Sequence, residues 1–598
     1  MSLSGVVPKH STYVQGGLPI GIDSKRRTIR LVPQTGGSGY TPNGNNVIRI
    51  DIPPSIGFLD TQNSYLRFRI KVAAANVNLS FPCYMDTNAM SWCDRFEVIS
   101  NNGSVLESIH DYNLLVNLLH KATSPDDYRL TAGKLLDNEG TRSERAANLA
   151  SGRMYCAGLD ASGIFGGNTK YLPCQFVQGS LTMEFQLAQF ADCFVGRATA
   201  AAQASYTIDN VEYVAECINF GQDFNNIFEQ ELRTRGVDIA FHSYRSHHHA
   251  ISSQSEQTIQ LSQNSKSVKG CYCVLRDKDE YRSAKCESLS TYKSGRLTDY
   301  QFDLGGRLFP EFRMDVRNGG GSSAYASALN SFNHFRDHNG GTAVRKETFV
   351  PHGVASGLVN VNTSSKEEEI TQRIWGTLRV VAAAAGPVAQ HTVCFKPLDT
   401  RDLADIKYDR KYKLAFIENT YAGDASIMTH AVQNTVTTTP LSQTQKNRQY
   451  VYCLGSDTLG GIVLGSRPTS DMYRPDTHLM APLVSTGPVP NAADYATALP
   501  YGNAANPTNG KVVCLDLVPD DSDFYIGQSF ETHEEHESMV SGMDTTNTVP
   551  LHVNLKFAPG TAAGGANLPV KTSDLLTAFL HYDAVMRIEP DGSVVSSM

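Results

Sequence analysis

The chain has 598 residues and a formal net charge of −8, with 19% charged and 41% hydrophobic residues. Such a length exceeds one hydrophobic core and implies two to four domains. The acidic balance excludes a molecule that binds nucleic acid over its whole surface, which needs a basic field, and the longest apolar run, Val380 to Ala389, falls short of the roughly 20 residues of a membrane span.

In chain order, residues 1–44 read as an arm with Gly and Pro punctuation. Lys9, Lys25, Arg26, Arg27 and Arg30, with Arg49 just beyond, face only Asp23, so a basic arm precedes an acidic body. No secretory signal is legible in Met1-Ser2-Leu3-Ser4. Period-two alternation begins at Val47-Ile48-Arg49-Ile50-Asp51-Ile52, stops at Pro53-Pro54 and resumes over Tyr65–Val72. Arg95–Ile99 and Val105–Ile109 flank Asn101-Asn102-Gly103, a hairpin signal. Tyr112–Lys121 places Leu114, Leu115, Leu118 and Leu119 at helical spacing, and 122–170 reads as a long connection. Leu181–Leu187 and Tyr206–Val214 alternate again, which fits strands of an antiparallel sandwich with one buried face.

A connector helix is expected where Phe224, Ile227, Phe228 and Leu232 recur at helical spacing. The same order of elements then repeats. After Val237–Phe241 come a strand at Ser267–Arg276, a hairpin of Asp299–Leu304 and Phe309–Met314 around Gly305-Gly306, and a helix over Ala324–His338. Leu551–Phe557 is a clean strand, and Leu576–Leu580 with Ala584–Ile588 reads as a closing pair. Between about 396 and 510 the chain is rich in Thr, Gly, Pro and Asn with few clean strands. A structureless loop of that length does not suit a compact domain, so it reads as an elaborated insertion.

Evenly spaced strands, long end loops and a duplicated pattern predict an all-β fold of two tandem eight-stranded jelly rolls with short helices. The expected division is an arm at 1–44, a first jelly roll at 45–222, a connector helix at 223–235 and a second jelly roll at 236–598 carrying the 396–510 insertion.

Catalytic signatures are scarce: the chain has no GxSxG elbow, no phosphate loop with GK[ST] and no HExxH. His533-Glu534-Glu535-His536-Glu537, His247-His248-His249 and Asp520-Asp521-Ser522-Asp523 are weighed as metal sites and read as charged or exposed loops. Arg67, Arg69 and Lys71 alternate along one strand, either as a solvated face or as a ridge facing acidic residues of a neighbouring subunit. The twelve scattered cysteines, with no CxxC, fit reduced, buried small residues of a protein assembled inside a cell. No catalytic residue, cofactor or metal site is expected. A carbohydrate-binding or carbohydrate-active β-sandwich stays open as the rival, because paired carboxylates have no sequence spacing. Its usual platform, Trp, exists only as Trp92 and Trp375.

Ile48-Arg49-Ile50-Asp51-Ile52-Pro53, Phe58-Leu59-Asp60 and Ser64-Tyr65-Leu66-Arg67-Phe68 resemble the opening of major capsid proteins of virophages and polinton-like viruses. Val540-Ser541-Gly542-Met543-Asp544-Thr545-Thr546 and Leu576–Asp583 resemble their C-terminal portion, so the likeness covers almost the whole chain but not 396–510. The resemblance implies a double jelly-roll subunit of a virion, assembled inside the host cell. Three copies would form a pseudo-hexameric capsomer, and capsomers would tile an icosahedral shell around double-stranded DNA. It further implies neighbouring capsomers, penton and minor capsid proteins as partners, at most indirect contact with viral DNA through the N-terminal arm, and no membrane insertion.

Overall fold

The computed structural model describes residues 23–72, 83–195, 205–276, 288–316, 321–332 and 523–597 with short gaps, together with six strands between 372 and 517. Eight strands build the two main sheets of the first half: β1 (Ser24–Leu31), β2 (Val47–Ile52), β3 (Phe58–Val72), β4 (Cys93–Ile99), β5 (Val105–His110), β6 (Met154–Ala157), β7 (Leu181–Leu187) and β8 (Tyr206–Phe220). They form two antiparallel sheets, ordered β1-β8-β3-β6 and β2-β7-β4-β5. Each sheet interleaves early and late strands, the arrangement of a jelly roll.

Alternation dictates which face each strand buries. Ile48, Ile50 and Ile52 of β2 are buried while Arg49 and Asp51 point outward, and β3, β4 and β7 follow the same period. An aromatic column spans the two sheets: Tyr155 stacks on Phe68, Phe68 meets Trp92 edge-on at 5.3 Å, and Phe185 and Phe96 continue it to Tyr112. Each such side chain contributes roughly 1.5–3 kcal/mol on burial. Tyr112 opens helix α1 (Tyr112–Thr123), whose Leu114, Leu115 and Leu118 are buried.

Helix α2 (Gln222–Arg235) joins the halves. Phe224 and Phe228 pack edge-on against Phe58, and the ion pairs Glu229–Arg233 and Glu231–Arg235 run along its exposed side. The second half then repeats the first: β9 (Val237–Ala250), β10 (Glu256–Leu261), β11 (Val268–Arg276), β12 (Leu297–Leu304), β13 (Arg307–Asp315) and helix α3 (Gly321–Asn330). Gly305 and Gly306 both have positive φ, which the tight β12–β13 turn requires and which glycine adopts without strain.

A barrel follows, made of β14 (Gln372–Ala382), β15 (His391–Pro397), β16 (Lys411–Phe416), β17 (Tyr450–Ser456), β18 (Ile462–Gly465) and β19 (Val512–Leu517), closed in the order β14-β15-β18-β17-β16-β19. Thus the stretch 396–510, read as poor in strands, supplies strands to a barrel that takes in flanking strands as well. Closure leaves no sheet edge, so the short strands need no partner outside the barrel. The chain returns through β20 (Ile526–Ser529), β21 (Leu551–Phe557), β22 (Leu575–Ile588) and β23 (Val594–Ser597).

The second sandwich has sheets β9-β22-β11-β20, with β23 added beside β22, and β10-β21-β12-β13. Numbered within its own half, each sandwich reads first-eighth-third-sixth and second-seventh-fourth-fifth. The chain is a double jelly roll.

Three sequence expectations change. Residues 24–31, inside the expected arm, form edge strand β1 paired with β8, whereas residues 1–22 lie outside the described residues. The expected closing pair is one continuous strand, β22, because His581-Tyr582-Asp583 carries no Gly or Pro and the pairing with β9 runs through it. The helix expected at 324–338 is described over Gly321–Asn330, and residues 333–338 lie outside the described residues.

Candidate functional site

The buried polar chemistry gathers where the two sandwiches meet. Along β5, Leu106, Glu107 and Ile109 are all buried: Ile109 lies opposite Phe96 of its own sandwich, and β9 and β23 of the second half lie against the strand. Glu107 is 1% exposed. Its carboxylate accepts from Ser162 Oγ (2.6 Å) and the Gly163 N–H (2.9 Å) within the first half, and from Ser243 Oγ (2.9 Å) on β9. Burial pushes its pKa above the usual carboxylate range, and the donors from Ser162, Gly163, Ser243 and Ile164 oppose that rise. Gly163 permits the approach: a Cβ there would lie 1.7 Å from the His242 carbonyl oxygen and 2.8 Å from the Phe241 ring.

A second contact grips Leu289, Ser290 and Tyr292. Asp86, 1% exposed, accepts from the Leu289 N–H (3.0 Å) and Ser290 Oγ (2.5 Å). Lys121, near the end of α1, donates to the Ser290 carbonyl and to Asp523 at 2.5 Å, and its ammonium sits 5.0 Å from the Tyr292 ring centroid. Removing one partner of a buried pair costs about 3–5 kcal/mol, so these contacts specify one docking geometry.

A third contact closes the end of β5. Asp111 adopts a left-handed conformation (φ 52°) at the start of α1 and reaches His248 Nε2 at 2.6 Å. Arg276 donates to Thr577 Oγ1 (2.9 Å), which lies 3.2 Å from His248 Nδ1. Burial raises the Asp111 pKa, but the His248 bond and charge, the Ser246 bond and Arg276 outweigh it and hold the carboxyl below its ordinary value.

The residues singled out from sequence lie elsewhere, apart from two. Arg67, Arg69 and Lys71 pair across the sheet with β8: Arg67 with Glu212 at 3.3 Å, Arg69 with Asp209 at 2.6 Å and Lys71 with Asp209 at 2.8 Å. Arg26 and Arg30 of β1 join the same surface, meeting Glu216 at 2.9 Å and Glu212 at 3.9 Å. These cations are matched within their own sheet. His247 and His249 lie on the opposite face of β9 from His248, so the triplet cannot converge on one ion. His248 serves the junction, as does Asp523. His533–Glu537, Asp520 and Asp521 lie outside the described residues, and among the described residues no group of three or more His, Cys, Asp or Glu side chains is placed to hold a metal. Trp92 is fully buried between the sheets, which removes it as a sugar platform.

Sequence reasoning missed Glu107, Asp86, Lys121 and Asp111. Glu107 and Lys121 occupy ordinary polar positions of a hairpin and a helix end, and their partners, Ser162, Ser243, Ser290 and Asp523, lie far off in sequence.

No protein-family model matches the chain, and no curated protein matches it. Among solved structures, the PBCV-1 virus capsid matches 98% of this chain and 100% of its own at 9% identity and a TM-score of 0.45. The mavirus major capsid protein matches over 99% and 94% at 8% identity and a TM-score of 0.42. The Faustovirus major capsid protein matches over 96% and 92% at 9% identity and a TM-score of 0.39.

Proposed function

We propose that this chain is a major capsid protein whose homotrimer forms a pseudo-hexameric block, and that such blocks tile an icosahedral shell around double-stranded DNA. The observation that carries the reading is the repetition of one strand order in two sandwiches, locked together by a buried, polar junction. A rigid pair of similar bodies lets a threefold ring present six nearly equivalent sides, which pack hexagonally, while each half diverges for its own neighbours. A single binding site needs no such duplication. The buried charges at the junction are hydrogen-bonded across the two halves, which suits them to fixing the docking geometry.

On this reading the chain resides in the virion, and its partners are two further copies of itself, neighbouring capsomers, and penton and minor capsid proteins. The division into an arm, two jelly rolls and an insertion belongs to the same proposal, with the 372–517 barrel as an elaboration of the link between fifth and sixth strands. Among the described residues no helix is long and apolar enough to cross a membrane. Contacts within the trimer should bury roughly 2,000–5,000 Å², the scale of permanent interfaces.

Light scattering on the purified chain during size exclusion tests the proposal. A mass of about 196 kDa, three times 65.3 kDa, and hexagonal outlines in negative stain are expected. A chain that stays at about 65 kDa at tens of micromolar refutes it.

A further inference from the structure

Because both halves share one strand order, every strand has a counterpart, and counterparts differ in how well they are covered. The fifth strands are β5 and β13. In β5, Leu106, Glu107 and Ile109 are buried, and β9 and β23 lie against the strand. In β13 only Met314 is buried, whereas Leu308 is 38% exposed and Phe312 63% exposed. The first strands are β9 and β1. Ile239, Phe241, Ser243 and Tyr244 of β9 are buried, while no residue of β1 is.

The contact inside the chain is therefore heterologous: a fifth strand meets the first strand of the next sandwich. Each chain makes this contact once and is left with one bare fifth strand and one bare first strand. Charge matches as well. Glu107 supplies the acid on β5 and Ser243 a donor on β9. On the bare pair, Glu311 of β13 and Lys25 and Arg27 of β1 make no ion pair among the described residues, and β1 carries the cations. Lysine and arginine on an open edge strand also keep it from pairing indiscriminately before assembly.

We infer that β13 of one copy lies against β1 of the next, repeating between copies the contact that β5 makes with β9 within a copy. This rests on the shell-protein reading, since a heterologous contact closes into a ring only when the rotation suits the number of bodies, here six sandwiches from three chains. Phe312 and Leu308 are the apolar anchors of the new interface, and Glu311 faces the Lys25 and Arg27 end of β1.

The test is the mass of the full chain in solution. Wild type is expected at about 196 kDa. Phe312→Asp, Leu308→Asp, and the pair Lys25→Glu with Arg27→Glu each change exposed side chains, so folding is retained; each shifts the mass to about 65 kDa. Adding Glu311→Lys to the Lys25→Glu, Arg27→Glu chain restores the trimer by exchanging the charges. A trimer that survives the β13 and β1 variants, or a charge-exchanged chain that stays monomeric, overturns the inference while leaving the shell reading intact. Wild type running as a monomer overturns the shell reading itself.

Discussion

Replacing Glu107 by alanine perturbs the junction at a fully buried carboxylate. The change strands Ser162 Oγ, the Gly163 N–H and Ser243 Oγ, all within 2.9 Å of the carboxylate. Hydroxyls can turn toward other acceptors but the Gly163 N–H cannot, so the loss is about 1–3 kcal/mol. That is a large share of the roughly 5–15 kcal/mol that holds a domain folded. Glu107→Gln keeps an acceptor for Gly163 and Ser243 and offers its amide to the Ser162 hydroxyl, so it costs about 1 kcal/mol.

The pH dependence separates the two variants from wild type. The Glu107 pKa is raised above 4.5 in the folded protein, so the unfolded chain ionises first as pH rises. The stabilisation is complete below 4.5 and is lost as pH climbs through the folded value. Glutamine does not titrate, so its disadvantage shrinks as pH rises above 4.5. Thermal unfolding followed by the buried Trp92, in a Trp375→Phe background, reports on the first sandwich. The alanine variant should melt there several degrees early and apart from the second sandwich. An alanine variant with the wild-type midpoint, or a glutamine variant as unstable as alanine, refutes the reasoning.

Three further outcomes follow from the same geometry. Gly163→Ala drives a methyl group to within 1.7 Å of the His242 carbonyl, so the halves should separate and limited proteolysis should cut between them, near α2. Lys121→Met leaves Asp523 without its ammonium partner and should lower stability by about 3–5 kcal/mol in urea unfolding; pairing it with Asp523→Leu should recover most of that loss. Burial, and secondarily Lys269, lowers the His242 pKa from 6.5 to about 4, so its stabilisation is present above 6.5 and lost as pH falls toward 4. That depression corresponds to roughly 3 kcal/mol, and His242→Phe should flatten the acid limb of a stability-against-pH curve over this window.

What the sequence held plainly was local. Leu551–Phe557 alternates in burial along its whole length as it does in hydropathy, and Leu114, Leu115 and Leu118 mark the apolar side of α1. The repeated strand, hairpin and helix order announced two sandwiches, because both halves bury one face of each long strand. Short or fully exposed strands left no such mark. Ser24–Leu31 reads as a basic tail because an uncovered edge strand has no apolar face to display. Met154–Ala157 and Ile526–Ser529, at four residues each, are too brief for alternation to register.

The amino-acid order by itself determined the pleated segments, their turns and the duplication, since these depend on neighbours two to four residues apart. Only the tertiary structure decided that Glu107 meets Ser243, that Lys121 meets Asp523, and that Arg69 is spent on Asp209. The physical reason is that a polar side chain looks the same in sequence whether it faces water or a hydroxyl hundreds of residues away. Packing alone tells these apart, by removing the water.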